Sequence, residues 1–255
     1  MFGIYDENNN LIQEIITDKN GKATSDLIPI GKYYAKELKT GSPYFLLYEN
    51  SYEFEIIKNH ETVPLVIEND ATDIKVNVEK NGTVETKPNE IVDYTFTNVA
   101  NESNIYLDNF KWIDYIPTAY TRLEQMTTGT WNQDLKYKVL YRTNKSQDYI
   151  VFKDNLSTKE NYSLDFTSLE LAEDEYITET CFDFGTVDIG FKESLSPTMK
   201  CRALKDLLDG QTFTNYTKTV GVYFGVTANA EDNWTTIVHV PEEPKPTLPR
   251  TGFFN

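Results

Sequence analysis

Short runs of β-branched and aromatic residues, several alternating with polar positions, are separated along this chain by clusters of Gly, Asn, Asp and Pro. That is the pattern of strands joined by turns. In residues 1–70, strands are expected at 2–5, 11–16, 32–38, 52–57 and 63–68. The polar cluster Asp6-Glu7-Asn8-Asn9-Asn10, the turn signal Asp18-Lys19-Asn20-Gly21 and the break Gly41-Ser42-Pro43 punctuate them. This first region reads as a small antiparallel sandwich.

A second β-rich region, residues 71–240, opens at Ile74-Lys75-Val76-Asn77-Val78. Turns at Asn81-Gly82 and Lys87-Pro88-Asn89 bracket alternating strands, among them Val92-Asp93-Tyr94-Thr95-Phe96. Further strands are expected at 104–106, 111–116, 122–127, 135–141, 148–152, 176–184, 198–204 and 220–227, with a short helical turn within 167–174. The fold class is therefore all-β, with a larger sandwich or jelly-roll-like domain after the small one. Residues 241–255 are a proline-rich, charged spacer, Pro241-Glu242-Glu243-Pro244-Lys245-Pro246-Thr247, and the segment that follows it.

Composition narrows the function. The 255 residues include 17 Tyr, 14 Phe and 3 Trp, ample for two cores. Lys and Arg number 24 against 40 Asp and Glu, a net charge of −16, with no basic block. Nucleic acid and anionic membranes are poor partners for such a surface. No apolar window is long enough to span a bilayer, and residues 1–6 lack the basic and apolar regions of a secretion leader.

Most catalytic and metal-binding constellations are missing. His60 and His239 are the only histidines, and no His-x-x-x-His or Cys-x-x-Cys spacing occurs, so neither a metal nor a cofactor is expected. No glycine-rich phosphate loop is present, and no carboxylate pair separates itself from the surface as a glycosidase acid and nucleophile. Cys181 and Cys201 lie in expected strands and are either a disulfide or two buried thiols. Trp131 and the Tyr137/Tyr141 pair are either sugar-stacking aromatics or parts of the core and its rim.

Leu248-Pro249-Arg250-Thr251-Gly252 resembles the LPxTG sorting signal by which Gram-positive surface proteins are joined to peptidoglycan. The resemblance implies that a sortase cleaves between Thr251 and Gly252 and leaves Thr251 as a covalent wall anchor. The prolines fit this, since they hold the site extended and remove amide donors. A leader and an apolar C-terminal helix accompany such signals, so the chain is expected to be a piece of a longer precursor.

Gly31, Tyr34, Glu37, Pro43 and Tyr44 resemble the Tyr-x-x-Glu box and following turn of SpaA-type, Cna protein B-type domains, which are prealbumin-like, Ig-like sandwiches. The likeness covers about residues 2–70. In that family a first-strand lysine condenses with a last-strand Asn or Asp beside a buried glutamate. It implies Glu37 as proton shuttle and Asn69 as acceptor. The family's lysine strand precedes Phe2, so no isopeptide bond is expected in this domain as the sequence stands. Lys32, Lys36 and Lys39 are too close to Glu37 along one strand.

The stretch from Val84 to Pro117 is similar in plan to repeat sandwich domains of bacterial wall proteins, some of which link a first-strand lysine to a last-strand asparagine beside an aspartate. By that resemblance Lys80, Asn215 and Asp183 are the candidates, against a reading of all three as surface charges and turns. Together these likenesses imply a non-enzymatic, extracellular, wall-anchored stalk or adhesin with sortase and peptidoglycan as partners, and a host or matrix ligand if it adheres. The alternatives are a minor or tip pilin, and a carbohydrate-binding or enzymatic module within 74–240.

Overall fold

The computed structural model describes residues 1–241; the sorting motif at 248–252 lies outside them. The fold is all-β, with two compact units that meet in sequence between Asp73 and Ile74.

The first unit holds β1 (Phe2–Asp6), β2 (Leu11–Ile15), β3 (Gly31–Glu37) and β4 (Ser51–Ile56) in an antiparallel sheet of order β2-β1-β3-β4. The β1–β2 connection is drawn tight by Asp6, whose carboxylate accepts from the Asn8 and Asn10 amides at 2.8 and 2.9 Å. On β3 the alternation is plain: Tyr33, Ala35 and Glu37 are buried, while Lys32 and Lys36 are exposed. The strand expected at 63–68 is not formed. Pro64 removes a ladder donor near its start, and the bridge between Phe45 and Ala71 with the bonds flanking it lies just after it, at residues 70–72.

The second unit is a sandwich. Its strands are β5 (Val76–Gly82), β6 (Glu85–Thr86), β7 (Ile91–Asn101), β8 (Leu107–Tyr115), β9 (Thr121–Thr127), β10 (Thr130–Trp131), β11 (Lys136–Thr143), β12 (Ser146–Ser157), β13 (Ser163–Asp165), β14 (Ile177–Val187), β15 (Glu193–Leu195), β16 (Thr198–Ala203), β17 (Thr212–Tyr223) and β18 (Val226–Val238). A seven-stranded sheet, β12-β11-β14-β8-β17-β18-β6, packs on a five-stranded sheet, β13-β9-β16-β7-β5, and β10 pairs with β15. Among the described residues only the β18–β6 pairing is parallel. The expected helical turn is a short 3₁₀ turn at Phe166–Ser168, capped by the Asp165 carboxylate, which accepts from the Thr167 amide.

The core between the sheets is aromatic. Trp112 of β8 meets Phe96 of β7 edge-on and Phe182 of β14 at a tilt, each at 4.5 Å between centroids. Trp131 stacks on Phe191 at 5.1 Å. Burial of such rings is the main stabilising term of a sandwich.

Two expected strands are redrawn. Residues 104–106 belong to a loop before β8, and 220–227 is not one strand but the tip of the long β17–β18 hairpin. Phe224 and Gly225 turn the chain there with φ of 44° and 80°. A phenylalanine at a left-handed position hides the turn, because the usual signal is Asn-Gly or Asp-Gly.

Candidate functional site

Three polar side chains meet inside the sandwich of the second unit. Lys80 projects from β5, which is the edge strand of the five-stranded sheet, with Val76 and Val78 buried on the same face. Asp114 projects from β8 in the opposite sheet, after Phe110 and Trp112 on the same alternation. Asn215 follows Phe213 inward from β17. Lys80 Nζ donates to Asp114 Oδ2, and Asn215 Nδ2 donates to Asp114 Oδ1 at 3.1 Å. The Lys80 and Asp114 side chains are both 0% exposed.

The surroundings push both ionisable groups toward neutrality. Burial drives the Lys80 amine below its ordinary range, against the opposing pull of Asp114. Burial likewise drives the Asp114 carboxyl up, against the pull of Lys80. The amine lies over the rings of Phe96 and Tyr94, 4.4 and 4.7 Å from their centroids, which fix its direction.

Chemically, the arrangement suits one reaction. A neutral Lys80 amine is a nucleophile, the Asn215 carboxamide carbon an electrophile, and Asp114 touches the nitrogen of each. Asp114 can take a proton from Nζ through one oxygen and give one to the departing Asn215 nitrogen through the other. Nζ–Cγ forms, Cγ–Nδ2 breaks, and ammonia leaves.

Asp183 is not part of this group. It lies on the outer face of β14, where Lys111 and Lys138 approach it at 3.6 and 3.9 Å. The neighbouring Phe182 and Phe184 take the inner positions, so strand alternation excludes Asp183. The residue that sequence reading missed is Asp114, whose signal is an acid continuing the apolar face of Phe110 and Trp112.

In the first unit Glu37 is buried and accepts from Tyr48 N at 2.8 Å and from Asn69 Nδ2 at 2.5 Å. Asn69 Nδ2 also donates to Leu46 O at 2.8 Å. Glu37 and Asn69 are thus in contact. Lys32 and Lys36 leave β3 on its opposite face, and Lys39 is exposed.

Comparison with known proteins matches the first unit to one family. Residues 1–71 match the SpaA family, a prealbumin-like fold domain. Over 62 residues the chain is 44% identical to the trypsin-resistant surface T6 protein of Streptococcus pyogenes serotype M6; that stretch is 24% of this chain and 11% of the relative. The chain therefore spans about a tenth of the length of the curated relative it matches. Among solved structures, the major pilin subunit of Bacillus cereus is similar at a TM-score of 0.28 and 15% identity, covering 93% of this chain and 64% of that one. The full-length major pilin SpaD of Corynebacterium diphtheriae is similar at 0.26 and 13%, covering 92% and 58%. Similarity this low bears on neither mechanism nor partner.

The remaining candidates do not assemble. Cys181 and Cys201 are free, buried thiols, not a disulfide. Cys201 faces the core from β16, whereas Cys181 sits on the outer side of β14 with Glu179 and Asp183, so the two sulfurs point to different faces of the sandwich. Burial pushes the Cys181 thiol up to about 12, and Cys201 upward as well. Trp131, Tyr137 and Tyr141 are buried, which makes them core and not a sugar platform. Among the described residues no cluster of His, Cys, Asp or Glu is arranged to hold a metal. A shallow depression of about 550 Å³ is lined in part by Arg122, Glu124 and Arg202. Its charges are already engaged: Arg202 grips both Glu124 oxygens, and Arg122 lies over the Tyr176 ring at 4.2 Å.

Proposed function

We propose that this chain is a structural protein of the Gram-positive cell surface, built to bear load, whose second unit staples itself by condensing Lys80 with Asn215 under catalysis by Asp114. The observation that carries this reading is the buried triad itself: an amine, a carboxyl and a carboxamide in hydrogen-bonded sequence within an aromatic core.

The link would tie β5 to β17, the first and the penultimate strand of the unit, across the two sheets. Force entering near Ile74 and leaving near Val240 would then pass through a covalent bond and bypass most of the strands between. Closing a loop of about 135 residues, from Lys80 to Asn215, is worth on the order of 5 kcal/mol in the chain-entropy account developed for disulfides. Such a bond suits a stalk or pilin-like subunit.

The likeness of the first unit to the SpaA family and to the surface T6 protein supports a surface role. In that unit Glu37 would serve as shuttle and Asn69 as acceptor for an amine brought by an upstream strand. The pattern Leu248-Pro249-Arg250-Thr251-Gly252 supports sortase cleavage after Thr251 and attachment to peptidoglycan through it. A minor or tip pilin subunit fits the same features.

Intact mass tests both parts. A chain lighter than its sequence by about 17 Da, one ammonia, with a branched Lys80–Asn215 peptide after proteolysis, establishes the staple. An unmodified mass overturns it. Incubation with a sortase and an amine donor should remove the residues after Thr251 and add the amine; an unchanged C-terminus would sink the anchoring reading.

A further inference from the structure

Lys80 is held at two points, and only one belongs to the triad. Its side chain reaches Asp114, while its backbone amide donates to Asp232 Oδ2 at 2.6 Å. Because β5 is an edge strand, it has a ladder on one side only, with β7. Asp232, from β18 of the opposite sheet, binds that edge at Lys80 itself.

The register of the large sheet makes this a designed span. Thr180, Asp114, Thr217 and Asp232 are successive Cα partners across β14, β8, β17 and β18, so the two aspartates lie in one row. They are two strand spacings apart, about 10 Å. Lys80 bridges them, backbone on one carboxylate and amine on the other. A lysine one residue out of register would turn its side chain to solvent.

We propose that Asp232 is a positioning residue for the condensation: its carboxylate fixes the β5 backbone at the register from which the Lys80 amine reaches Asp114 and Asn215. The inference rests on the Lys80–Asn215 reading above. The role is geometric and not electrostatic, because a negative charge near Lys80 favours the ammonium form and so opposes the nucleophile. An acceptor oxygen without charge should therefore serve as well or better.

The test follows closure in time. The full chain is made by cell-free translation, aliquots are quenched in acid denaturant, and the fraction lighter by about 17 Da is read by mass spectrometry. Asp232→Asn, which keeps an acceptor oxygen, should close as fast as the unaltered chain or faster. Asp232→Ala should close roughly tenfold to a hundredfold more slowly, the scale of effect expected from small misplacement of reacting groups. Asn215→Ala and Asn215→Ala/Asp232→Ala, neither able to close, give the folded fraction with and without the clamp. Slowing beyond that loss of folded protein supports positioning. Asp232→Ala closing at the unaltered rate, slowing only as the folded fraction falls, or Asp232→Asn slowing equally, overturns it. If the unaltered chain never loses ammonia, the condensation reading fails and takes this assignment with it; if it closes while the Asp232 variants behave alike, only the assignment fails.

Discussion

Lys80 and Asp114 come from facing sheets and meet with both side chains closed to solvent. A buried ion pair is seldom a source of stability, because desolvating two charges offsets their attraction. Here the same desolvation favours the neutral amine and the neutral acid, the states the condensation requires. The proposed condensation makes the pair a reactive arrangement and not a structural salt bridge.

Removal of each member should separate linkage from pairing. Asn215→Ala abolishes the bond but leaves Lys80 and Asp114 paired, and should lower unfolding free energy on the order of 5 kcal/mol. Asp114→Ala abolishes the bond and also strands a buried amine, which adds about 3–5 kcal/mol. The thermal midpoints should therefore fall in the order unaltered chain, Asn215→Ala, Asp114→Ala, with neither variant lighter than its own sequence mass. Equal midpoints for the two variants would show that the pairing contributes nothing.

The raised Asp114 carboxyl gives a pH dependence of definite sign. A group whose folded pKa lies above its unfolded value of 3.8 contributes stability that is full below 3.8 and is lost as pH rises through the folded value. Lys80→Met isolates this effect by removing the amine. Its unfolding free energy in urea should fall as pH rises from 4 toward neutrality, by at most about 1.4 kcal/mol per pH unit. Lys80→Met/Asp114→Asn should be flat across that window beyond the slope shared by the other carboxylates. A matching slope in both proteins would place the titration elsewhere.

The fold class was legible from alternation, whereas Lys80 and Asn215 were reached only through a family resemblance; the structure then shows that both obey the alternation of their strands. Val76, Val78 and Lys80 occupy one face of a strand, as do Phe213 and Asn215, and the same rule puts Tyr33, Ala35 and Glu37 together. Asp114 obeys it too, but 40 acidic residues hide one acid on an apolar face. Asp183 fails the same rule, because Phe182 and Phe184 beside it take the core-facing positions. Residues 63–68 carry the β-branched run of a strand but form none, and Pro64 lacks the amide a ladder would need there. What alternation cannot supply is which strands of the two sheets face each other, and that is what selects Asp114 from the other acids.

In the first unit, Glu37→Ala would leave the Tyr48 amide without its acceptor and the Asn69 carboxamide donating to Leu46 O alone. An unmet buried donor costs about 1–3 kcal/mol. Hydrogen exchange on the full chain reads this locally: the Tyr48 amide should exchange faster in Glu37→Ala, while amides of β17 should be unchanged. Loss of protection throughout both units would instead mark a general fold defect.

Cys181 and Cys201 should both be countable as thiols. Each is buried and carries a pKa pushed upward by desolvation, so little thiolate forms at neutral pH. Iodoacetamide should add nothing to the native protein within minutes and two groups in denaturant, with no prior reductant. A denatured chain that needs reduction before it alkylates would mean that the sulfurs had found each other.

The tip of the β17–β18 hairpin offers a stabilising change. Phe224 is 63% exposed and holds φ of 44°, followed by Gly225 at 80°, so both central positions of this two-residue turn are left-handed. That geometry matches the twist of the flanking strands, but a bulky side chain adopts it at a cost that asparagine largely avoids. Phe224 does contact Tyr223 edge-on at 5.1 Å, which offsets part of the strain. Phe224→Asn trades a surface ring contact for relief of backbone strain. We expect a gain of about 0.5–1 kcal/mol, on the scale of other substitutions that fit a residue to its native φ and ψ. Urea unfolding of the Asn215→Ala background, where no staple masks small differences, is the measurement that resolves it. A loss of stability there would show that the ring contact outweighs the strain, and that the phenylalanine is kept at the tip for its packing.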